Sequence, residues 1–177
     1  MLFRSLAALR AGVCGRVVGV DCSPGMLASG AAKIAGAPVQ AVLGDAQALP
    51  LRDSCADVVT IAFGWRNLTD PIVGLVAMHR LLRPGGHLLI LDFFRPDRGF
   101  PRCFDRVVAG WALPLAGRLL AGDGPAYRYL HDSMGRFLSP AEAEAALAAQ
   151  GFTGLRRRAF AGGVALALAA SRPGVGR

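Results

Sequence analysis

The sequence lacks the features that would assign it to several classes of protein. Its four cysteines form no CxxC pair and no cluster with the three histidines, so neither a zinc site nor a disulfide framework is indicated. The first residues show no continuous apolar segment followed by a small-residue cleavage site, which is the pattern of a signal peptide. We therefore expect a reduced, cytoplasmic setting and no bound metal.

Long hydrophobic runs are also missing. The best candidate for a membrane span, residues 107–122, is shorter than the roughly 20 residues that a spanning helix needs. It also contains Pro114 and Arg118, and an arginine buried at the centre of a bilayer costs about 2.5–3.5 kcal/mol. We expect this segment to form a surface or lid helix with one apolar face.

Acidic residues are few, and Lys33 is the single lysine. Twenty basic residues against twelve acidic ones give a net charge of +8. That charge suits nucleic acid or an anionic membrane surface, but no nucleic-acid-binding motif accompanies it, so we expect no nucleic acid partner. A chain of 177 residues that is 53% hydrophobic can bury one core, which predicts a single domain spanning residues 1–177.

Strand and helix signals alternate along the first half of the chain, which predicts an α/β fold with a parallel sheet. The predicted strands there are "RVVGV", "PVQAVLGD", "ADVVTIAFG" and "HLLILDFF". Three helices are expected to begin at the side-chain caps Ser23, Asp70 and Ser139, the last in a capping box with Glu142. Residues 95–136 interrupt the alternation and predict a helical cover. The strands "GLRRRAFA" and "GGVALALAAS" then close the chain as an antiparallel pair.

Polar residues stand at the carboxyl ends of successive strands, where ligands bind in open α/β sheets. Asp21 ends the first visible strand, and its carboxylate can accept hydrogen bonds from ribose hydroxyls. Asp45 ends the next strand and can accept one from an adenine amino group. "GWRN", residues 64–67, follows the third. Each is also explained as a simple turn aspartate or an exposed loop, but together they favour a nucleoside site.

Several segments carry a resemblance to a known family. "VVGVDCSPGML", "GDAQALPLRDSCADVVTIAFGWRNLTD", "HRLLRPGGHLLILDFFRP", "YRYLHDSMGRF" and "AGGVALAL" resemble the ubiquinone/menaquinone biosynthesis C-methyltransferases. "FGWRNLTD" and "YRYL" are specific to that family, whereas "LRPGG" is common to many methyltransferases. The resemblance implies a Rossmann-like class I methyltransferase sheet with helices on both faces, S-adenosylmethionine as cofactor and a prenylated quinol as substrate.

The resemblance also implies roles for individual residues. Asp21 would hold the ribose of the cofactor, Asp45 and Ala46 its adenine, and Arg66 and Asn67 would lie at the quinol ring. A ring carbon becomes nucleophilic as the neighbouring hydroxyl loses its proton. Because a guanidinium stays charged at any reasonable pH, Arg66 is a poor base, and we expect it to stabilise the developing quinolate and order a water while Asn67 orients the ring oxygen.

Other residues leave alternatives open. Trp65 stands where the family usually has leucine, and we expect it to contact the substrate. Tyr127 and Tyr129 would cover the substrate or else pack the cover onto the sheet. His131 stands where the family usually has a small residue and would be a base or a surface residue. These departures allow a methyltransferase for another hydrophobic small molecule.

The first strand of the family and its glycine-rich loop, which wraps the methionine part of the cofactor, are not found in the sequence. In this fold that strand is central and lies between "RVVGV" and "DVVTIAF". Losing it would leave both of those strands with an unpaired edge. We therefore expect an N-terminally truncated chain, and an inactive truncated relic is the remaining alternative.

Residues 100–121 interleave apolar side chains with three arginines. The pattern suits a helix lying in a membrane interface, with Arg102, Arg106 and Arg118 at the lipid headgroups. It equally suits a lid packed on the sheet. A membrane-resident quinol would make peripheral contact with the inner membrane face useful to a cytoplasmic enzyme.

Overall fold

A computed structural model describes residue 12 and residues 15–95, 133–160 and 165–174. The chain divides into two units, residues 1–52 and residues 53–177, and each is described by itself. Most of the predicted cover at 95–136 lies outside the described residues, as do the two glycines predicted to join the last two strands.

The first unit contains two parallel strands connected by a helix. Strand β1 is Val17–Asp21, helix α1 is Pro24–Ile34 and strand β2 is Val39–Leu43. In register, Val17 lies opposite Val39 and Asp21 opposite Leu43. The predicted cap of α1 is confirmed, because Ser23 Oγ accepts a hydrogen bond from the Met26 backbone N–H at 3.3 Å.

In its described residues, the second unit contains a four-stranded mixed sheet, two helices and two short helical turns. Its elements, in chain order, are strand β3 (Ala56–Ala62), a 3-10 turn (Trp65–Asn67), helix α2 (Pro71–Leu81), strand β4 (Leu82–Phe93), a helical turn at 133–136, helix α3 (Pro140–Ala149), strand β5 (Thr153–Phe160) and strand β6 (Ala165–Ser171). The strand order is β3-β4-β6-β5. Strand β3 is parallel to β4, and β5 and β6 form an antiparallel pair, as the sequence predicted. Strand β6 is also antiparallel to β4.

The helix starts of the second unit follow the predicted caps. Asp70 Oδ1 accepts hydrogen bonds from the N–H groups of Ile72 (2.8 Å) and Val73 (3.2 Å) at the start of α2. At the start of α3, Ser139 Oγ accepts from the Glu142 N–H, and the Glu142 carboxylate accepts from the Ser139 N–H at 2.7 Å. These bonds satisfy N–H groups that have no partner inside the helix.

Strand β4 begins earlier than its apolar run predicts. The sequence placed its start near His87, whereas the structure extends it back to Leu82. The reason is pairing on both sides of the segment. Leu82 lies opposite Ala56 of β3, and on the other side the Gly85 N–H donates to the Arg172 carbonyl and the Arg172 N–H to the Gly86 carbonyl, both at 2.9 Å. A side chain at Gly86 would approach the Asp57 carbonyl to 3.0 Å, so glycine allows this close approach.

The two faces of the four-stranded sheet differ in burial. One face supplies the core, with Leu88, Ile90 and Leu168 all at most 2% exposed. On the other face, Val58 and Leu89 remain 43% and 44% exposed. The core lies on the face that helices α2 and α3 cover, because their residues Leu75 and Leu147 are completely buried.

Strands β1, β2, β3 and β5 each have one hydrogen-bonded neighbour among the described residues. Strand β1 pairs with β2, and β3 pairs with β4, which leaves one edge of each without a strand partner in the described part of the chain. The absence of the family's first strand stays a prediction. The single-domain prediction itself stays a prediction.

Candidate active site

Asp21 and Asp45 lie at the same edge of the first unit. Because β1 and β2 are parallel, their carboxyl ends meet, and the Gly44 N–H donates to the Asp21 carbonyl at 3.1 Å. A side chain at Gly44 would lie 2.7 Å from Pro50 Cδ, so glycine is required where the loop after β2 folds back. The structure therefore brings together the two carboxylates that the sequence singled out.

The two carboxylates differ in the number of hydrogen bonds that they accept from the described residues. Asp21 is half-buried, and its Oδ1 accepts a hydrogen bond from the Ser23 N–H at 3.0 Å, while Oδ2 accepts none from the described residues. Asp45 is exposed and accepts from the Gln47 N–H at 2.8 Å and from Gln47 Nε2 at 3.4 Å. A carboxylate has about four lone-pair positions, so both can accept further bonds. Their positions fit a nucleoside, with Asp21 Oδ2 open to a hydroxyl donor.

Arg66 lies in the second unit and is held by a buried carboxylate. Its Nη1 donates to Asp92 Oδ1 at 2.6 Å, and its backbone N–H donates to Asp92 Oδ2 at 3.1 Å. The side chain of Arg66 is 9% exposed and that of Asp92 is completely buried. Arg66 was predicted here as a loop residue facing the substrate, and the structure adds an ion pair that orients it.

A buried donor of Arg66 remains unused. Its Nε is buried and has no hydrogen-bond partner in the described part of the chain. The Arg66 guanidinium carbon also lies 5.4 Å from the centre of the Phe93 ring, within the range of a cation–π interaction. A buried N–H group without a partner is costly, so this position favours an added acceptor such as a ligand oxygen.

Asn67 is oriented by a residue with an unusual backbone conformation. Phe63, just after β3, has a φ of 55°, which is uncommon for a residue other than glycine. Its carbonyl accepts a hydrogen bond from Asn67 Nδ2 at 3.3 Å, and its ring lies 4.9 Å from that of Phe93. Such strained positions concentrate at functional sites, which is consistent with the predicted role of the loop after β3.

Trp65 is completely buried in an aromatic cluster. Its ring packs edge-on against Phe137 at 5.2 Å and Phe94 at 6.1 Å, and its Nε1 donates to the Pro71 carbonyl at 3.0 Å. In the structure its side chain is therefore part of the core. Direct contact between Trp65 and a substrate stays a prediction.

A cavity of about 420 Å³ adjoins this loop. It is lined by Arg66, Asn67, Leu68, Thr69, Pro71, Ser133, Arg136 and Phe137. The lining combines an apolar wall with hydroxyl, amide and guanidinium donors, which is the composition of a site for an aromatic ligand that carries oxygen atoms. The helical turn at 133–136, the described end of the predicted cover, thus lies beside Arg66 and Asn67.

The predicted substrate residues Tyr127 and Tyr129 lie outside the described residues, as does His131. Asp92 is the candidate site residue that the sequence analysis missed. A signal for it was present, because Asp92 lies at the carboxyl end of the predicted strand "HLLILDFF", the same position by which Asp21 and Asp45 were found. Its partner could not be read from sequence, since the pair joins residues 26 positions apart.

Comparison with known proteins gives a consistent assignment. A model of the ubiE/COQ5 methyltransferase family matches residues 5–172. The chain is 40% identical over 159 residues to a demethylmenaquinone methyltransferase of Thermus thermophilus, covering 89% of this chain and 72% of that protein. It is 34% identical to the enzyme of the same name in Desulfitobacterium hafniense, with 94% and 67% covered. It is also 40% identical to the ubiquinone/menaquinone biosynthesis C-methyltransferase UbiE of Geobacter sulfurreducens, of which the chain spans 59%.

Solved structures agree on the fold. A chain of the complex between the Haloferax volcanii Trm112 methyltransferase activator and a methyltransferase superposes with a TM-score of 0.72, at 18% identity, covering 97% of this chain and 79% of that one. A SAM-dependent methyltransferase of Aquifex aeolicus superposes with a TM-score of 0.60, at 17% identity, with 89% and 69% covered. These likenesses confirm the Rossmann-like methyltransferase fold predicted from the sequence.

Proposed function

The chain belongs to the ubiE/COQ5 methyltransferase family, a family of S-adenosylmethionine-dependent enzymes, and we propose that it serves the C-methylation of a prenylated quinol. The relatives that support this substrate class are named for demethylmenaquinone and for ubiquinone and menaquinone biosynthesis. The observation that carries the proposal is the cavity beside Arg66 and Asn67, which offers hydrogen-bond donors next to an apolar wall.

The cofactor would bind at the carboxyl ends of β1 and β2. Asp21 Oδ2 accepts a ribose hydroxyl, and Asp45 and Ala46 hold the adenine. When bound, S-adenosylmethionine supplies a methyl group activated by its positively charged sulfur. The chain therefore has no need to activate the methyl donor, and its remaining task is to make the quinol carbon nucleophilic.

Arg66 stabilises the quinol oxygen as its hydroxyl proton departs. The guanidinium keeps its charge throughout, so it acts through hydrogen bonding and charge rather than as the base. The proton passes to a water that Arg66 orders. Asn67 orients the ring oxygen, and Leu68 and Phe137 provide the apolar wall against which the ring lies.

Transfer of a labelled methyl group from S-adenosylmethionine to demethylmenaquinol tests the proposal. We expect Arg66→Ala to lower kcat on the order of 100-fold, as for other lost donors to a developing oxyanion, with cofactor affinity nearly unchanged. Arg83→Ala is the matched control, because it removes the same charge from an exposed pair with Asp57. Full turnover of the Arg66 variant would contradict the assigned role, and methylation of other hydrophobic acceptors in place of the quinol would contradict the substrate.

We further propose that the protein reaches its substrate at an anionic membrane surface. The net charge of +8 supports this, as does the sequence of residues 100–121, which lie outside the described part. In the part of the chain that the structure describes, no helix is long and apolar enough to cross a membrane. Each arginine near an anionic surface contributes about 1 kcal/mol, and salt screens this attraction.

Cosedimentation with liposomes distinguishes membrane contact from a lid that only packs on the protein. We expect binding to anionic vesicles at low salt, release at high salt, and loss of binding in the double variant Trp111→Ser, Leu115→Ser while the circular dichroism spectrum is kept. Equal partitioning to neutral and anionic vesicles, or no partitioning at any salt concentration, would contradict membrane contact and favour a lid that packs on the protein.

A further inference from the structure

Asp92 contacts Arg66 at two separate points. One carboxylate oxygen accepts from the Arg66 backbone N–H at 3.1 Å, and the other accepts from Nη1 at 2.6 Å. The second oxygen also accepts from the Phe93 N–H at 2.8 Å. A single buried carboxylate therefore fixes both the backbone and the guanidinium of Arg66, and its own position is fixed by strand β4.

This arrangement removes most of the freedom of a long side chain. An arginine in a loop normally samples many rotamers, and a donor that must be ordered during the reaction loses part of its effect. With Nη1 held by Asp92 and the guanidinium carbon 5.4 Å from the Phe93 ring centre, the guanidinium is oriented before any ligand arrives. Nε is a buried donor of this guanidinium that has no partner in the described residues.

Charge compensation is the second effect of Asp92. A guanidinium that is nine-tenths buried is costly unless a carboxylate accompanies it. Asp92 lets Arg66 lie beside the cavity in its charged form without an exposed counter-ion.

We propose that Asp92 is the positioning residue for Arg66, holding the guanidinium in a fixed orientation for the oxygen of the substrate ring. Asp92 itself does not contact the substrate. This inference rests on the proposed function for the identity of the substrate. The restriction of the Arg66 side chain by Asp92 can be measured without any substrate.

The first measurement uses the unaltered chain. In a nitrogen-15 NMR spectrum, we expect the Arg66 Nε–H signal to be resolved and to exchange with water at least tenfold more slowly than that of exposed Arg83. Comparable exchange at the two arginines would overturn the proposal. Because no methyl transfer is involved, this outcome is independent of whether the quinol is the substrate.

The second measurement compares two replacements of Asp92. Asp92→Asn keeps the shape but loses one acceptor and the charge, so we expect fast exchange at Arg66 Nε–H and a fall in kcat on the order of 10- to 100-fold, with KM changed about twofold or less. Asp92→Glu keeps a carboxylate and should recover most of the slow exchange and of kcat. Equal losses in both variants, or an unchanged kcat in Asp92→Asn, would overturn the positioning role.

A control separates positioning from stability. Leu168 is 1% exposed and lies opposite Ile90 in the same sheet, without a contact to Arg66 through hydrogen bonds. Leu168→Ala should lower Tm at least as much as Asp92→Asn but keep kcat and slow exchange at Arg66 below its unfolding temperature. A matching fall in kcat would assign the effect of Asp92 to stability alone.

If the unaltered chain methylates no quinol, the proposed function fails, and the exchange measurement still decides whether Asp92 holds Arg66.

Discussion

At the scale of single residues, the sequence located polar groups but not their partners. Asp21 and Arg66 could be found because each follows a buried strand, and ligands collect at the carboxyl ends of strands. The buried state of Arg66 could not be predicted, since a loop arginine is usually exposed and its partner Asp92 lies on another strand. Pairings of this kind depend on sheet register, which local sequence does not specify.

Asp21 offers a test of the cofactor site at this scale. In Asp21→Asn, the amide oxygen can still accept from the Ser23 N–H, while the second position becomes a donor that cannot accept a ribose hydroxyl. We expect S-adenosylmethionine binding to weaken by about 1–3 kcal/mol, the cost of a lost buried partner. Titration calorimetry measures this, with Asp53→Asn, an exposed carboxylate paired with Arg80, as the control. Equal affinities of Asp21→Asn and the control for S-adenosylmethionine would show that Asp21 does not bind the cofactor.

At the scale of elements, capping residues predicted helix starts more accurately than apolar runs predicted strand starts. Ser23, Asp70 and Ser139 each cap the helix that the sequence assigned to them. The predicted start of β4 was wrong by five residues, because pairing with Ala56 of β3 and with Arg172 after β6 extends the strand back to Leu82. Caps are local interactions within four residues, whereas strand limits are set by a distant neighbour.

The capping box of α3 predicts a dependence of stability on pH. Hydrogen bonds from the Ser139 backbone and side chain lower the pKa of Glu142 from its ordinary value of 4.5, despite some opposing desolvation, and Arg95 lowers it further. The Glu142 carboxylate therefore contributes stability above pH 4.5, and this contribution is lost as pH falls through the lower pKa of the folded state.

Thermal unfolding of Glu142→Gln checks this sign. The variant should have a lower Tm than the unaltered chain near neutral pH, and the difference should shrink as the pH falls below the ordinary pKa of Glu142. Ser139→Ala provides a second arm, with an expected loss of about 1 kcal/mol from the missing cap. A difference in Tm that stays constant across the acid range would show that the charge of Glu142 contributes nothing.

At the scale of the whole molecule, the family and fold could be predicted because their motifs are continuous in sequence. "FGWRNLTD" directly follows β3, where the fold places the loop of the candidate site, and "LRPGG" directly follows α2 as the first residues of β4. The division into two units could not be predicted from composition, since it depends on which strands are paired. The sequence suggested only that β1 and β3 would each have an unpaired edge.

Hydrogen exchange should reveal this difference between the sheets. Strands β4 and β6 have neighbours on both sides and contain Leu88, Ile90 and Leu168, which are nearly completely buried. Strands β1 and β2 form a two-stranded sheet, and such sheets are at best marginally stable on their own. We expect the amides of β4 and β6 to exchange slowest and those of β1 and β2 to exchange faster, with the difference narrowing as urea is added.

Leu168→Ala should accelerate exchange in β4 and β6 while leaving β1 and β2 nearly unchanged, because Leu168 is a residue of the four-stranded sheet. Uniform protection of all strands, or equal acceleration throughout in that variant, would mean that the chain opens as one cooperative body and would contradict the expectation drawn from its strand pairing.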